Sequence, residues 1–330
     1  MGHPVPASSA RNNCLVVFVH IPKTAGTTLN SILAHHYSAE ERYEVMMRGM
    51  SLRMPSSPML AKPLLSSSKI RHIKAALHEP GDLRVIHGHL DLSIDGLLPD
   101  NARLITLLRD PVERAISHYH HFRRAESDPS HPLAMHSTLK EWVGTQGLVE
   151  MDNGQTRRLA GAMSLPFGQV TQQTLQRAKA NLARFAVVGL TERFEESQIL
   201  LRHEFNWPLY RYPEQNVGRT RRAETSEEEV RAIVARNVFD LELYRFAAAL
   251  MQQATSKFDM EREVALLKAA PVHIAPDNSR PADNTSNRKR TIEGFASLFR
   301  KISLTRLAIL AFCCGMVELL TDAVLLLAQL

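Results

Sequence analysis

Short apolar runs alternate with amphipathic stretches over the first 250 residues of the chain. Apolar residues recur at helical spacing between the runs and after them, most clearly over 227–235 and 239–251. The runs themselves are short and rich in β-branched residues, which predicts buried strands; they cover 14–19, 83–86, 104–108 and 186–190. Strands that alternate with helices predict an α/β fold with a central parallel sheet.

The first predicted strand leads into the most informative turn of the sequence. Pro22 ends the strand, because proline cannot donate to a sheet ladder, and the residues Lys-Thr-Ala-Gly-Thr-Thr (23–28) precede a predicted helix. Backbone N–H groups and the helix dipole converge at such a turn, so it is suited to an anion. Lys23 adds a positive charge and the threonines add hydroxyl donors. The turn predicts a phosphate site, and the alternative is an ordinary connection with an exposed lysine.

The next two predicted strands also end in turns with chemically active side chains. The run 83–86 leads into His87-Gly88-His89, whose spacing leaves a catalytic base, metal ligands and structural histidines all open. The run 104–108 leads into Arg109, followed by a helix start in which Asp110 is the predicted N-cap and Glu113 completes a capping box. Arg109 is expected either to bind an anion or to pair with Asp110 or Glu113.

The three turns together resemble a known family. The stretch H-I-P-K-T-A-G-T-T (20–28) resembles the 5′-phosphosulfate loop of sulfotransferases that use 3′-phosphoadenosine 5′-phosphosulfate (PAPS), above all the heparan sulfate 2-O- and 6-O-sulfotransferases. Residues 109–117 resemble the family's 3′-phosphate motif R-D-P-x-x-R-x-x-S, and 2-O-sulfotransferases carry a similar H-G-H between the two motifs. The first turn is not a Walker A loop, because Lys23 precedes Gly26 instead of following a second glycine.

The resemblance implies an enzyme of the EC 2.8.2 class with a P-loop-like three-layer α/β fold, its domain covering 14–256. It implies transfer of a sulfuryl group from PAPS, without a metal ion, to a hydroxyl of a saccharide or glycolipid. His89, or else His87, would be the base, and Lys23 would neutralise charge on the leaving group. The implied cofactor-binding residues are Lys23, Thr24, Ala25, Gly26, Thr27, Thr28, Arg109, Ser117, Arg219 and Arg222, the last two being plain surface charge in the alternative interpretation.

A further segment, N-x-Q-T-R (153–157), also resembles the family. It suggests that Asn153, Gln155 and Arg157 contact the acceptor or the cofactor. The alternative is a helix N-terminus with solvated arginines. The three histidines after the 3′-phosphate motif, His118, His120 and His121, are expected on an exposed helix face.

Composition narrows the function classes. The 330 residues carry a net charge of +6 and are 44% hydrophobic, which suits one domain with an anionic ligand or a membrane surface. The basic residues are scattered and no nucleic-acid motif is visible, so no nucleic-acid partner is expected. Three cysteines form no disulfide framework, which favours a cytoplasmic location. A nucleotide kinase or NTPase on the same architecture and a non-catalytic membrane-associated adaptor remain as alternative functions.

The segments outside the predicted domain differ in composition. Residues 1–13 are polar and are predicted to be flexible, residues 257–303 are predicted to be a linker with a basic stretch, and residues 304–330 are predicted to form an apolar helix. Two dozen apolar residues can span a bilayer. Glu318 and Asp322 oppose membrane insertion, because inserting an acidic residue near the centre of a spanning helix costs up to ~3 kcal/mol. The segment is therefore expected to anchor the protein in a membrane, to lie on the membrane surface or to mediate oligomerisation.

Overall fold

The computed structural model describes residues 14–45, 67–78, 82–212 and 224–273. The predicted flexible N-terminus (1–13), the predicted apolar helix (304–330), Arg219 and Arg222 lie outside the described residues. Within the described ranges, no helix combines the length and the hydropathy needed to cross a bilayer.

The elements follow the alternation of strand and helix that the sequence predicts. The strands are β1 (Leu15–Val19), β2 (Arg42–Val45), β3 (Val85–Gly88), β4 (Ala102–Leu108) and β5 (Val187–Leu190). The α-helices are α1 (Gly26–His36), α2 (Ser67–His78), α3 (Pro111–Phe122), α4 (His131–His136), α5 (Leu139–Gly144), α6 (Gly154–Leu159), α7 (Gln172–Leu182), α8 (Phe194–Phe205), α9 (Glu227–Arg236), α10 (Val238–Thr255) and α11 (Met260–Ala269). Short 3₁₀ helices cover Leu92–Leu97, Val149–Met151 and Thr191–Arg193.

The five strands form one sheet in the order β2-β3-β1-β4-β5. Every pairing between neighbours is parallel, and helices cover both faces. All five residues of β1 are buried, because this strand lies in the middle of the sheet and is covered on both sides. The predicted α/β fold with a central parallel sheet is confirmed.

The strand order determines where the chain leaves the sheet. After β1 the chain crosses towards β3 and β2, whereas after β4 it crosses towards β5. The two connections diverge from neighbouring strands, and open α/β sheets bind ligands in the crevice that such a divergence leaves at the carboxyl ends of the strands. The side-chain hydroxyl of Thr106 donates to the backbone oxygen of Val19 at 2.9 Å and ties β4 to β1 near this edge.

Strand β2 and helix α11 lie outside the elements that the sequence predicted. Strand β2 pairs with β3 from Arg42↔Val85 to Val45↔Gly88. No apolar run marks β2 in the sequence, because only its last residue is buried. Helix α11 occupies the first part of the segment predicted as a linker (257–303). Its Leu267 is 1% exposed, and Lys268 Nζ lies 3.4 Å from a carboxylate oxygen of Glu195 on α8. The packed helical structure therefore continues past residue 256, the predicted end of the domain.

A second apolar cluster lies beside the main core and is built around Trp142 of α5, which is fully buried. Trp142 Nε1 donates to Nδ1 of His118 at 3.3 Å. His118 is 2% exposed, so the prediction that it lies on an exposed helix face is wrong. His120 is half-buried and His121 is exposed. The ring of His118 is buried because α5 packs against this face of α3.

Candidate active site

The turn between β1 and α1 has an unusual backbone. Lys23 (φ 70°) and Ala25 (φ 60°) both adopt left-handed conformations, with Thr24 between them. Left-handed residues in such a turn form a nest, in which successive N–H groups point into one concavity that binds anions. Among the described residues, none accepts a hydrogen bond from the backbone N–H groups of residues 23–27. Helix α1 has no acidic residue in its first turn and no side-chain N-cap. The turn therefore has the donors that a phosphate needs.

Gly26 is required at this turn for a steric reason. A Cβ atom at Gly26 would lie 1.9 Å from Nε2 of His20. The His20 ring stacks on Phe18 (centroids 5.3 Å apart) and on His89 (4.7 Å). Burial lowers the pKa of His20 well below its usual value, and the neighbouring His89 and Arg158 lower it further. His20 thus joins the phosphate turn to the H-G-H turn. Sequence reasoning missed this role, although His20 opens the family-like loop.

The threonines of the turn do not share one environment. The hydroxyl of Thr24 is fully buried and donates to the backbone oxygen of Ile21 at 2.8 Å. Thr28 is also buried, whereas Thr27 is exposed. The Thr24 hydroxyl is therefore bonded within the turn and stabilises it from inside.

Lys23 lies half-buried in a positively charged region. Burial, with smaller contributions from the nearby Arg124 and Arg109, lowers its pKa to about 8. None of the described carboxylates raises it. The charged form of Lys23 is unfavourable in this region as long as no anion is near. The ammonium is therefore suited to pairing with an anion that binds there. Arg124 follows the end of α3, and the sequence carried no motif that would have drawn attention to it.

The 3′-phosphate motif begins beside Lys23. Arg109 Nη1 donates to the backbone oxygen of Lys23 at 3.2 Å, and its Nη2 lies 3.9 Å from Oε2 of Glu113. The ion pair with Glu113, which the sequence left as the alternative, is thus also present, at a longer distance than the hydrogen bond to Lys23. Asp110 caps α3 as predicted and accepts from the N–H groups of Val112 and Glu113. The predicted capping box has Glu113 accept from the N–H of Asp110. In the structure this N–H donates to Oε1 of Glu192 at 2.9 Å instead. Ser117 is half-buried in the second turn of α3.

The two histidines of the H-G-H turn occupy different environments. His87 ends up 3% exposed, and its Nδ1 lies 3.2 Å from Oδ1 of Asn30 on α1. Burial lowers the pKa of His87 to about 4, with a smaller contribution from Arg42. His89 is half-buried and stacks on His20. Gly88 between them has φ +121°, and a Cβ there would lie 2.4 Å from the backbone oxygen of Val45.

Asn153, Gln155 and Arg157 lie inside the protein, each at most 4% exposed. Arg157 donates to the backbone oxygens of Asp152, Leu165 and Pro166 at 2.7–2.8 Å and pairs with the Asp152 carboxylate. Asn153 Oδ1 accepts from the N–H of Phe239 at 2.9 Å. Their burial leaves almost no side-chain surface for direct contact, and the predicted contact with acceptor or cofactor stays a prediction. The alternative of solvated arginines is wrong, because the residues satisfy buried backbone groups.

The side chains at this sheet edge fit a nucleotide with two phosphorylated ends. The nest of residues 23–27 and the ammonium of Lys23 can donate to one phosphate, and the guanidinium of Arg109 beside them can donate bidentately to another. Among the described residues, no cluster of three or more His, Cys, Asp or Glu side chains has the arrangement of a metal site.

Comparison with known proteins finds several sulfotransferases that are similar to this chain. A heparan-sulfate 6-O-sulfotransferase 2 from Gallus gallus is 28% identical over 322 residues, covering 84% of this chain and 79% of that protein. Heparan-sulfate 6-O-sulfotransferase 1 from Homo sapiens is 29% identical over 273 residues, covering 72% of this chain and 66% of that protein. A sulfotransferase structure from Alicyclobacillus acidocaldarius aligns with a TM-score of 0.39 at 15% identity, over 74% of this chain and 97% of that one.

A family model also matches most of the chain. The model of the galactose-3-O-sulfotransferase family matches residues 2–277, which include all the described residues. The resemblance to carbohydrate sulfotransferases that the sequence motifs indicated is thereby confirmed, and the chain belongs to the galactose-3-O-sulfotransferase family.

Proposed function

We propose that this chain transfers the sulfuryl group of PAPS to a hydroxyl of a saccharide. The observation that carries the proposal is the contact between Arg109 and Lys23, which brings the two phosphate-binding turns together at the carboxyl ends of β1 and β4. Bound PAPS supplies the activated sulfuryl group and leaves as adenosine 3′,5′-bisphosphate (PAP).

Each turn has a distinct task in binding the nucleotide. The N–H groups of residues 23–27 and the N-terminus of α1 hold the 5′-phosphate end. Lys23 stabilises the negative charge that grows on the leaving oxygen, and it does so effectively because it is half-buried. Arg109 binds the 3′-phosphate bidentately, with the Ser117 hydroxyl as a second donor. Arg219 and Arg222 remain predicted contributors from outside the described residues.

A histidine of the H-G-H turn accepts the proton of the attacking hydroxyl. His89 is the first choice, because it is half-buried and stacks on His20, whose ring also lies over the phosphate turn. His87 is the second choice, since its ring is 3% exposed and its Nδ1 is already paired with Asn30. His87 lies in β3, the strand beside β1, and His89 follows that strand, so either ring lies next to the phosphate turn rather than next to Arg109.

Family membership supports a carbohydrate acceptor. The family model is named for galactose 3-O-sulfation, and the two relatives described above are named for heparan-sulfate 6-O-sulfation. These names agree on a saccharide hydroxyl and differ in the sugar and the position. A saccharide hydroxyl is accordingly the proposed acceptor class.

The activity test uses PAPS labelled with ³⁵S and a panel of galactosides, heparan sulfate and desulfated heparin. The proposal predicts label on at least one saccharide and release of PAP. It is contradicted if the protein binds ATP with Mg²⁺ in a thermal-shift assay and does not bind PAP, which would favour the nucleotide kinase alternative. Binding of PAP without transfer to any hydroxyl acceptor in a fractionated cell extract would favour the adaptor.

Attachment to a membrane through residues 304–330, in a cytoplasmic setting, stays a prediction from the sequence. Flotation of the full chain with liposomes, compared with a chain that ends at residue 277, tests it. The prediction fails if both chains stay in the dense fraction.

A further inference from the structure

The buried side-chain amide of Gln155 forms hydrogen bonds with both backbone groups of Arg109. Its Oε1 accepts from the N–H of Arg109 at 3.0 Å, and its Nε2 donates to the carbonyl oxygen of Arg109 at 2.9 Å. Gln155 is fully buried in the first turn of α6. A side-chain amide that satisfies both backbone groups of one residue fixes that residue's position and orientation together.

The two backbone groups need such a partner because of where Arg109 lies. Pairing of β4 with β5 ends at Leu108↔Leu190, and Arg109 is the residue that follows. Its N–H and C=O therefore leave the sheet ladder before the helix begins at Pro111. Without Gln155 both groups would be left partly buried without these bonds, and the Cα–Cβ direction of Arg109 would lose its restraint.

Gln155 is itself anchored to a different part of the fold. The carboxylate of Asp240 on α10 accepts from the N–H of Gln155 at 3.1 Å and from the N–H of Thr156 at 2.7 Å. Arg114 Nη2 lies 3.6 Å from the same carboxylate. The amide of Gln155 is thus presented to Arg109 by α6 and α10.

We propose that Gln155 is a positioning residue that acts through Arg109 in nucleotide binding. It has no exposed surface with which to touch a ligand, so its effect passes through the orientation of the guanidinium that faces Lys23. This inference rests on the proposed function, since it takes Arg109 as the residue that binds the 3′-phosphate.

The chain contains a matched control for a purely structural amide. Gln198 on α8 is 6% exposed and makes the same pair of bonds with another residue, accepting from the N–H of Tyr212 at 3.1 Å and donating to its carbonyl oxygen at 2.9 Å. Gln198→Met therefore removes the same chemistry from a backbone that is not that of Arg109.

The experiment measures the affinity for PAP and for adenosine 5′-phosphate by titration calorimetry on the full chain. The variants are Gln155→Met, Arg109→Ala, Gln198→Met and the two double variants with Arg109→Ala. Gln155→Met is expected to weaken PAP about tenfold and to change adenosine 5′-phosphate, which has no 3′-phosphate, by less than about twofold. In the Arg109→Ala background, Gln155→Met is expected to have less than about a twofold further effect, because the two residues act as one unit.

The effect of Gln198→Met, whatever its size, is expected to be the same with and without Arg109. The inference is overturned if Gln155→Met weakens both nucleotides equally, or if its effect adds fully to that of Arg109→Ala. If Gln155→Met does not fold by circular dichroism, Gln155→Asn, which keeps the amide on a shorter side chain, takes its place with the same expected pattern. Absence of PAP binding by the unmodified chain would instead contradict the proposed function itself.

Discussion

The guanidinium of Arg109 donates a hydrogen bond to the backbone oxygen of Lys23 across 86 residues of sequence, with an N–O distance of 3.2 Å. The contact uses the carbonyl of Lys23, so the ammonium and the guanidinium remain as two neighbouring positive charges. Burial, the nearby Arg124 and repulsion by the Arg109 guanidinium together lower the pKa of Lys23 to about 8. An anion that lies between them removes this repulsion, and its binding is linked to the protonation of Lys23.

This linkage predicts that PAP affinity depends on pH. The folded-state pKa of Lys23 is about 8, below its ordinary value of 10.5, so Lys23 is charged at pH 7 and mostly neutral at pH 9 in the free protein. Binding favours the charged form, and PAP affinity is therefore expected to fall about tenfold between pH 7 and pH 9. Titration calorimetry across this range measures it.

Two variants separate the charge of Lys23 from its titration. Lys23→Arg keeps a charge at every pH used, and Lys23→Met has none, so both are expected to show a flat affinity between pH 7 and pH 9. Because a depressed lysine pKa destabilises the fold below about pH 8, Lys23→Met is also expected to raise the melting temperature of the free protein at pH 7. A slope that persists in both variants would assign the pH dependence to another group.

Replacing the histidine base is expected to remove turnover and to spare nucleotide binding. His89→Ala should lower kcat by roughly 10²- to 10⁴-fold, the usual contribution of a general base, while PAP affinity stays within about twofold. His87→Ala is measured in the same assays, because His87 is the alternative base. Because the pKa of His87 is about 4, a base at His87 would keep its function down to about pH 4. Turnover near that of the unmodified protein in both variants would refute the assignment of a histidine base.

Gly88 is expected to tolerate no side chain. Its φ of +121° is strained for other residues, and a Cβ would lie 2.4 Å from the backbone oxygen of Val45 on the edge strand β2. Gly88→Ala should lower the free energy of unfolding by at least about 2 kcal/mol in urea titration. Gly96→Ala is the control, because no atom lies within 4 Å of its Cβ position. If the two variants are equally stable, β2 moves away from the added Cβ atom without a loss of unfolding free energy, and the prediction is wrong.

Glu150 neutralises two buried arginines. It forms an ion pair with Arg114 (3.4 Å) and another with Arg158, and all three side chains are at most 3% exposed. Glu150→Ala should cost about 3–5 kcal/mol of unfolding free energy, because it leaves the buried Arg158 without its carboxylate and Arg114 with Asp240 alone. Glu228→Ala removes the exposed ion pair with Lys140 and should cost less than about 1 kcal/mol. A small effect of Glu150→Ala would mean that water replaces the carboxylate.

The sequence was sufficient for the parts of the site that depend on local chemistry. Apolar runs predicted β1, β3, β4 and β5, and the residues after three of them predicted the three turns of the site. Strand order cannot be derived from such patterns, because it depends on long-range pairing, so the contact of Arg109 with Lys23 required the structure. Edge strand β2 was missed because its polar residues are half-buried or exposed.

The role of residues 153–157 was also hidden in the sequence. Asn153, Gln155 and Arg157 are polar residue types that are usually exposed, so a pattern alone favours ligand contact or solvent. Their bonds run to backbone groups of Phe239, Arg109 and Leu165, which lie up to 86 residues away. Burial of polar groups against distant backbone is a property of the folded chain.

The central claim is that one nucleotide joins the two phosphate-binding turns. A crystal structure of the complex with PAP tests it most directly. The account predicts the 5′-phosphate against the N–H groups of residues 23–27 and the 3′-phosphate against the guanidinium of Arg109. A complex with PAP bound elsewhere, or with its 3′-phosphate turned away from Arg109, would contradict it.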